Sequence, residues 1–352
     1  MRTDEKKQLN GISVVICCYN SEKRLPKVLE HLQNQTGGNG IDWELIVVDN
    51  ASKDRTSQVA KDLWRRDDVE MRVIFESRPG LSNARLAGFA SARYDIISFI
   101  DDDNWVEEQW IMKVYERMNS DHNIAILGGK GEAVFESEPP FWFDKYQSAY
   151  AVGPYGKVTG KQEKKLINGA GMNIRRSAWE YMRSNGFEFI LSGRTGKALS
   201  SGEDAELCLA FRLAGFDLFY EDKLSFFHYM PEGRLHWKYL VNLYKAFGRA
   251  SPVLHLYYAL LHENGWNQIN KINTLLTTTR SFYHFFRFLP KLLPLAFKKS
   301  EGEKRILRFV YVYSTLLEKL RLFFVFPQYV RKIKESNWYR ESHERDHRLK
   351  SE

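Results

Sequence analysis

The apolar run IISFIDDDNW, Ile96–Trp105, contains three consecutive carboxylates, Asp101, Asp102 and Asp103. Three such groups behind a buried strand repel one another and resist desolvation unless a cation sits among them. If extended geometry persists, Asp101 and Asp103 project to one side and face a single ligand. A hard divalent ion, Mg2+ or Mn2+, takes oxygen ligands and commonly combines one or two carboxylates with phosphate oxygens. The same residues also suit an acid-rich helix start, because Trp105 opens a helical pattern and acids favour that end of the dipole. A second acidic pair, Glu203 and Asp204, opens the helical stretch Glu203–Ala214 within SGEDAELCLAFRLAGF, after a glycine- and serine-rich loop at Ser192–Gly202. Helix capping is one reading of that pair.

Four short apolar runs lead to these groups. Ile12–Cys18, Glu44–Val48, Arg72–Phe75 and Asp95–Ile100 alternate with the helical patterns Leu25–Gln33, Thr56–Trp64 and Ser82–Ala92. The alternation predicts an α/β fold, a Rossmann-like and mainly parallel sheet flanked by helices. Ligands of such sheets sit beyond the C-terminal strand ends. Tyr19-Asn20, Asp49-Asn50, Arg78 and Asp101–Asn104 are thus expected along one edge. A strand over Phe216–Tyr220 follows the second acidic helix, and after about Pro231 the pattern turns helical. The chain divides accordingly into a sheet-bearing domain, 1–235, and a helical extension, 236–352.

Composition narrows the classes of function. With 352 residues, 43% hydrophobic and 27% charged, the chain can bury a large core. Three cysteines are too few for a disulfide framework. Cys17 and Cys18 share one strand and Cys208 lies far away, the pattern of a reduced, cytoplasmic protein. The opening MRTDEKKQLNG is polar, and no signal peptide is expected from it. The net charge of +8 belongs to the tail, where from Arg287 onward 16 Lys or Arg meet 8 Asp or Glu. That asymmetry predicts an anionic partner surface. No nucleic-acid module is recognisable, so nucleic acid is not among the expected partners. The charge-free runs Phe309–Leu317 and Leu322–Val330 fall far short of the roughly 18–20 residues of a spanning helix. A basic, aromatic helix lying in the membrane interface fits the tail and predicts peripheral association with the inner face of the plasma membrane. Ordinary packing on the domain is the competing reading.

Three further segments set the acidic triplet in a pattern. ISVVICCYN (Ile12–Asn20), ELIVVDNASKD (Glu44–Asp54) and ESRPGLSNARLAG (Glu76–Gly88) precede it in that order. Together the four resemble the family 2 glycosyltransferases of bacterial polysaccharide or glycolipid biosynthesis, over about Ile12 to Arg234. The resemblance implies a GT-A fold. It also implies that Asp49 accepts hydrogen bonds from a nucleobase, that the Tyr19-Asn20 turn cradles the nucleoside, and that Arg78 and Arg85 lie near base and diphosphate. The triplet matches the DxD motif, with Asp101 and Asp102 toward the donor and Asp103 on the metal. Asn104 stands where many relatives carry another Asp. His228, in FHYMPEGRL, corresponds to a histidine that completes the metal site, and Arg234 to a group near the diphosphate. Asp204 matches the general base, with Glu203 in support or against the acceptor. INGAGMNIRR (Ile167–Arg176) resembles the small-residue wall that admits the acceptor, with Asn168, Gly169 and Met172 as contacts. Trp142, in PPFWFD, either stacks on an acceptor sugar or anchors a loop.

The implied reaction is transfer, with inversion, of a sugar from a nucleotide-diphosphate sugar to a saccharide or lipid-linked acceptor. Negative charge builds on the diphosphate as the glycosidic bond breaks, and a divalent ion with guanidinium neighbours stabilises it there. Two alternatives are a sugar-nucleotide pyrophosphorylase and a non-catalytic saccharide-binding module. The first is expected to carry a glycine-rich basic loop after the first strand, and ICCYNSEKRLP has none. Intact Asp101, Asp103 and Asp204 argue against the second.

Overall fold

A computed structural model describes residues 9–38, 40–154, 158–191, 201–261 and 301–340, together with 279, 283, 286 and 287. The chain forms two compact units, each assembled from separated stretches. Met1–Val134, Ala151–Tyr181 and Phe216–Tyr229 make the first; Phe135–Tyr150, Met182–Gly215 and Met230–Glu352 make the second.

One sheet organises the first unit. β1 (Leu9–Cys18), β2 (Trp43–Asp49), β3 (Met71–Phe75) and β4 (Tyr94–Asp101) pair in parallel in the order β3-β2-β1-β4. Helices α1 (Leu25–Gln33), α2 (Thr56–Leu63) and α3 (Leu81–Ser91) make the crossovers. The central strands read as continuous apolar runs because both of their faces are covered. On one face, Val28, Leu29 and Leu32 of α1 pack with Val14, Ile16 and Val47 in a single buried cluster. On the other, α3 comes so close that a Cβ on Gly88 would stand 2.5 Å from Val15 Cγ1. Only glycine permits that approach. The neighbouring Phe89 ring stacks on Trp179 with centroids 3.9 Å apart.

Beyond β4 the sheet becomes antiparallel. β5 (Asn104–Val106), helix α4 (Trp110–Ser120), β6 (Ile124–Phe135), β7 (Gly160–Lys161), β8 (Met172–Arg175) and β9 (Asp217–Met230) complete the unit's main elements. β8 pairs with β4 and β6, while β5 and β7 pair with β9. The fold is the α/β class expected, with parallel pairing confined to the first four strands. Two local expectations are corrected. Trp105 sits in a strand, not at a helix start, because it pairs with Phe227 across β5 and β9; the helix begins at Trp110. The strand expected over Phe216–Tyr220 runs on to Met230.

The second unit is helical. It contains α5 (Phe143–Tyr146), the end of α6 (Arg176–Ser184), α7 (Glu203–Leu213), α8 (Trp237–Leu260), α9 (Lys304–Leu322) and α10 (Phe326–Glu335). Pro252 lies inside α8, and its missing N–H leaves the Gly248 carbonyl without its helical donor. Helix α9 supplies a replacement. Thr315 Oγ1 donates to that carbonyl at 3.1 Å, and the Tyr311 hydroxyl donates to Ser251 Oγ at 2.8 Å. Gly248 makes the crossing possible, since a Cβ there would stand 2.5 Å from the Tyr311 carbonyl oxygen. Among the described residues no helix is long and apolar enough to cross a membrane.

Candidate active site

Strand register brings the polar strand ends to one edge. Cys18 lies beside Asp49, Cys17 beside Asp101, and Asp49 beside Phe75. The parallel strands therefore end nearly level, and the residues that follow them gather where ligands of such sheets bind. Asn20, with φ at 51°, donates its N–H to Ser52 Oγ at 3.0 Å and accepts the Lys53 N–H at 2.8 Å. These bonds join the turns after β1 and β2 and leave the Tyr19 side of the turn 42% exposed. Buried Asp49 accepts the Ser52 N–H at 2.9 Å and the Ser57 hydroxyl, holding the entry to α2. Each carboxylate oxygen keeps a further lone pair for a ligand.

Asn50, expected along this edge but given no role of its own in the sequence reading, organises the next loop. Its amide donates to the carbonyls of Glu76 and Arg78, at 3.1 and 2.7 Å, and accepts the Gly80 N–H at 2.7 Å. The only sequence signal was a polar residue directly after a buried strand. The loop presents Arg78 in a two-bond pairing with Glu76, 3.0 Å at both contacts. Arg85 lies over the Phe99 ring at 5.9 Å. Burial pushes the Cys17 thiol up to about 12; Arg85 acts to lower it while Asp101 and Asp102 raise it, placing those charges around the tip of β1. At neutral pH that thiol stays protonated and is no nucleophile.

Extended geometry ends at Asp101, so the alternation expected for the triplet does not continue. Asp102 and Asp103 form the turn into β5. Asp102 accepts hydrogen bonds from the Ser21 hydroxyl and from Arg24 Nη2 at 2.6 Å, which ties it to the segment after β1. Burial holds its carboxyl above the usual range and the charge of Asp103 adds to this, against the pull of Arg24 and Ser21. Asp103 is 3% exposed, and its carboxylate lies 3.4 Å from His228 Nε2. Its carbonyl accepts the Tyr229 N–H at 2.9 Å, so β9 fixes both members of the pair. Asn104 sits opposite His228 in the ladder and is fully buried. Neither atom of its amide has a hydrogen-bond partner among the described residues. A buried amide left so is costly without a ligand or water.

Among the described residues, no group of three or more His, Cys, Asp or Glu is gathered as a ligand set. Asp103 and His228 are two donors side by side, with the unsatisfied Asn104 amide across the ladder. That chemistry fits a divalent ion whose other positions are taken by phosphate and water.

Glu203, Asp204, Trp142 and Arg234 belong to the second unit. Gly202 precedes α7 with φ at 111°, a conformation open to glycine, and a Cβ there would stand 2.8 Å from that of Ala250. Glu203 is buried, and Asp204 is half-buried with one oxygen accepting the Ala205 N–H at 2.8 Å. Residues 192–200 of the preceding loop lie outside the described residues. The third acid of this turn, Glu206, went unnoticed in the sequence and is fully buried. It accepts the N–H groups of Ile190 and Leu191, at 2.9 and 2.8 Å, and the Tyr257 hydroxyl at 2.8 Å. Burial raises its carboxyl from 4.5 to about 7 against those three donors.

That shift sets a pH prediction. The folded chain keeps the Glu206 proton where the unfolded chain has lost it, so this contribution is complete below 4.5 and is lost as pH rises toward about 7. The loss amounts to about 3 kcal/mol. Urea denaturation across that range should show wild-type stability falling more steeply with pH than that of Glu206→Gln. Parallel curves would place the carboxyl at its ordinary value.

Two expected acceptor contacts are corrected. Trp142 is 2% exposed and packs edge-on against Trp237 at 5.4 Å, so it anchors its loop and has no face free for a sugar. Met172 is 2% exposed in β8, opposite Phe99, and belongs to the core. Asn168 is half-buried and Gly169 buried, just ahead of that strand. The backbone carbonyl of Arg234 accepts the Tyr150 hydroxyl at 3.2 Å.

Comparison with known proteins bears on the first unit. Residues 13–179 match glycosyl transferase family 2. The glycosyltransferase GlyA of Streptococcus pneumoniae is 27% identical over 150 residues, 42% of this chain and 20% of that one. The undecaprenyl-phosphate 4-deoxy-4-formamido-L-arabinose transferase of Pseudomonas paraeruginosa is 30% identical over 182 residues, 50% of this chain and 54% of that one. The chain thus spans about half or less of these relatives' own length. The crystal structure of S. aureus TarS 1-349 in complex with UDP-GlcNAc aligns over 96% of this chain and 92% of that one, at 17% identity and a TM-score of 0.48. The ordered motifs and the family match agree that residues 13–179 are similar to the family 2 glycosyltransferases.

Proposed function

We propose that the protein is an inverting glycosyltransferase, moving a sugar from a nucleotide-diphosphate sugar to a saccharide or lipid-linked acceptor. The observation that carries this reading is the level row of Asp49 and Asp101 with the Asp103–His228 pair, all of it but His228 inside the family segment. The nucleoside lies against Asp49 and the Tyr19-Asn20 turn, and Arg78 and Arg85 attract the diphosphate. Asp103 and His228 would hold Mn2+ or Mg2+, which when bound neutralises charge on the departing diphosphate. Asp204 takes the proton of the acceptor hydroxyl as that oxygen bonds to the anomeric carbon and the bond to diphosphate breaks. Attack opposite the leaving group inverts that carbon. Asp204's role is supported by its place in the family's order of motifs, and a lipid-linked acceptor by the undecaprenyl-phosphate in the name of one relative.

A thermal-shift screen of nucleotide sugars, with and without Mn2+, tests the reading. At a hundredfold excess over Kd the true donor should raise Tm by about 5 °C. That donor should also release its nucleoside diphosphate when acceptor is added. Formation of nucleoside triphosphate and sugar 1-phosphate on addition of pyrophosphate would point to a pyrophosphorylase, and no shift with any donor would favour a binding module.

A further inference from the structure

We infer that the outer face of α9 and the turn after it dock into the interface of an anionic lipid bilayer. The inference uses nothing from the donor site and stands apart from the transfer reading. On α9, Tyr313, Leu317 and Leu320 are 42%, 47% and 45% exposed, and Phe324 in the following turn is 84% exposed. At 100° per residue the first three fall within roughly 60° of one another on the helix, and Phe324 continues their line. The opposite side of α9 is the one that packs: Leu307, Ser314 and Thr315 are buried, and Thr315 bonds to α8. The apolar stripe is therefore a second face, separate from the one that holds the helix in place.

Charge identifies the occupant. Residues 304–340 hold nine Lys or Arg against two Glu, a net charge of +7. Exposed Arg305 and Arg321 flank the stripe on its two sides, each roughly 80° from its centre. Their long side chains can keep the guanidinium in water while the stems line apolar surface. Helix α10 adds exposed Arg331, Lys332 and Lys334. Some of these cations have acidic neighbours, Arg321 with Glu318 and Lys332 with Glu188 at 2.5 Å, yet with Glu188 counted six positive charges remain in excess. An apolar stripe rimmed by cations matches the boundary between anionic headgroups and acyl chains. A neutral apolar partner would leave that excess uncompensated.

Flotation of the full-length protein with vesicles tests this, using phosphatidylcholine alone or mixed with phosphatidylglycerol. Binding should require the anionic lipid and weaken with salt. The combined Leu317→Ser, Leu320→Ser and Phe324→Ser variant should lose at least about tenfold in partitioning, with unchanged circular dichroism and Tm because these side chains are exposed. Arg305→Glu with Arg331→Glu should weaken binding to the mixed vesicles. The inference is overturned by equal binding to both vesicle types, by binding to neither, or by a serine variant that floats like the wild type. It is also overturned if the serine variant instead converts a dimer to a monomer in size-exclusion chromatography, which would make the stripe an interface between copies of the chain.

Discussion

Replacing Asp204 with Asn is expected to lower turnover by about 10^2- to 10^4-fold, the range for losing a general base. Donor affinity should stay within about twofold, because the side chain acts on the acceptor proton and not on the diphosphate. The substitution suits the question because Asn keeps the size of Asp and an oxygen that can accept the Ala205 N–H. The start of α7 is thereby preserved, and removing one acid from a first turn costs about 0.3–1 kcal/mol. Steady-state kinetics, paired with calorimetric donor titration, reads both quantities. Parallel losses of donor binding and turnover would make Asp204 a structural cap.

Asp103→Ala is expected to cost about 10^3-fold or more in turnover, the order seen when a charge-stabilising group is withdrawn from a developing anion. Here the donor titration should change as well. Wild-type affinity should rise with Mn2+, and the variant should lose that increment while keeping its metal-free affinity. The pair geometry makes a companion prediction, since His228→Gln should weaken metal dependence by about 10- to 100-fold. Asp103 is buried, so Asp103→Asn is the control for folding: it keeps the volume, and the backbone bond from Tyr229 is unaffected. An Asp103→Ala enzyme that still responds to Mn2+ as the wild type does would end the ligand assignment.

Much of the sheet could be read from the residues because its signal is local. Continuous apolar runs located β1 to β4 to within a residue or three, and apolar spacing gave α1 as Leu25–Gln33. The failures share a cause. Asn104–Val106 is three residues long, and its extended state depends on pairing with Phe226–His228 far along the chain. No local pattern announces that, and a tryptophan after acids looks like a helix start. Similarly, α7 has acids at three positions of its first turn. Helical spacing does not reveal that Glu206 turns inward, because the donors that satisfy it come from a loop and from α8. Trp142 presented two sequence options, and only packing against Trp237 chose between them.

The satisfaction of Glu206 has a consequence for biosynthesis. Tyr257 follows it by 51 positions, and Thr315 follows Gly248 by 67. At roughly 5–20 residues per second, a nascent chain carries Glu206 for about 3–10 s before Tyr257 has even been polymerised. During that interval the acid remains ionised and hydrated, and α7 has no finished bed to settle on. Messages truncated ahead of Tyr257 should therefore yield polypeptides that quality-control proteases clear, even though nearly every strand of the sheet has already been translated.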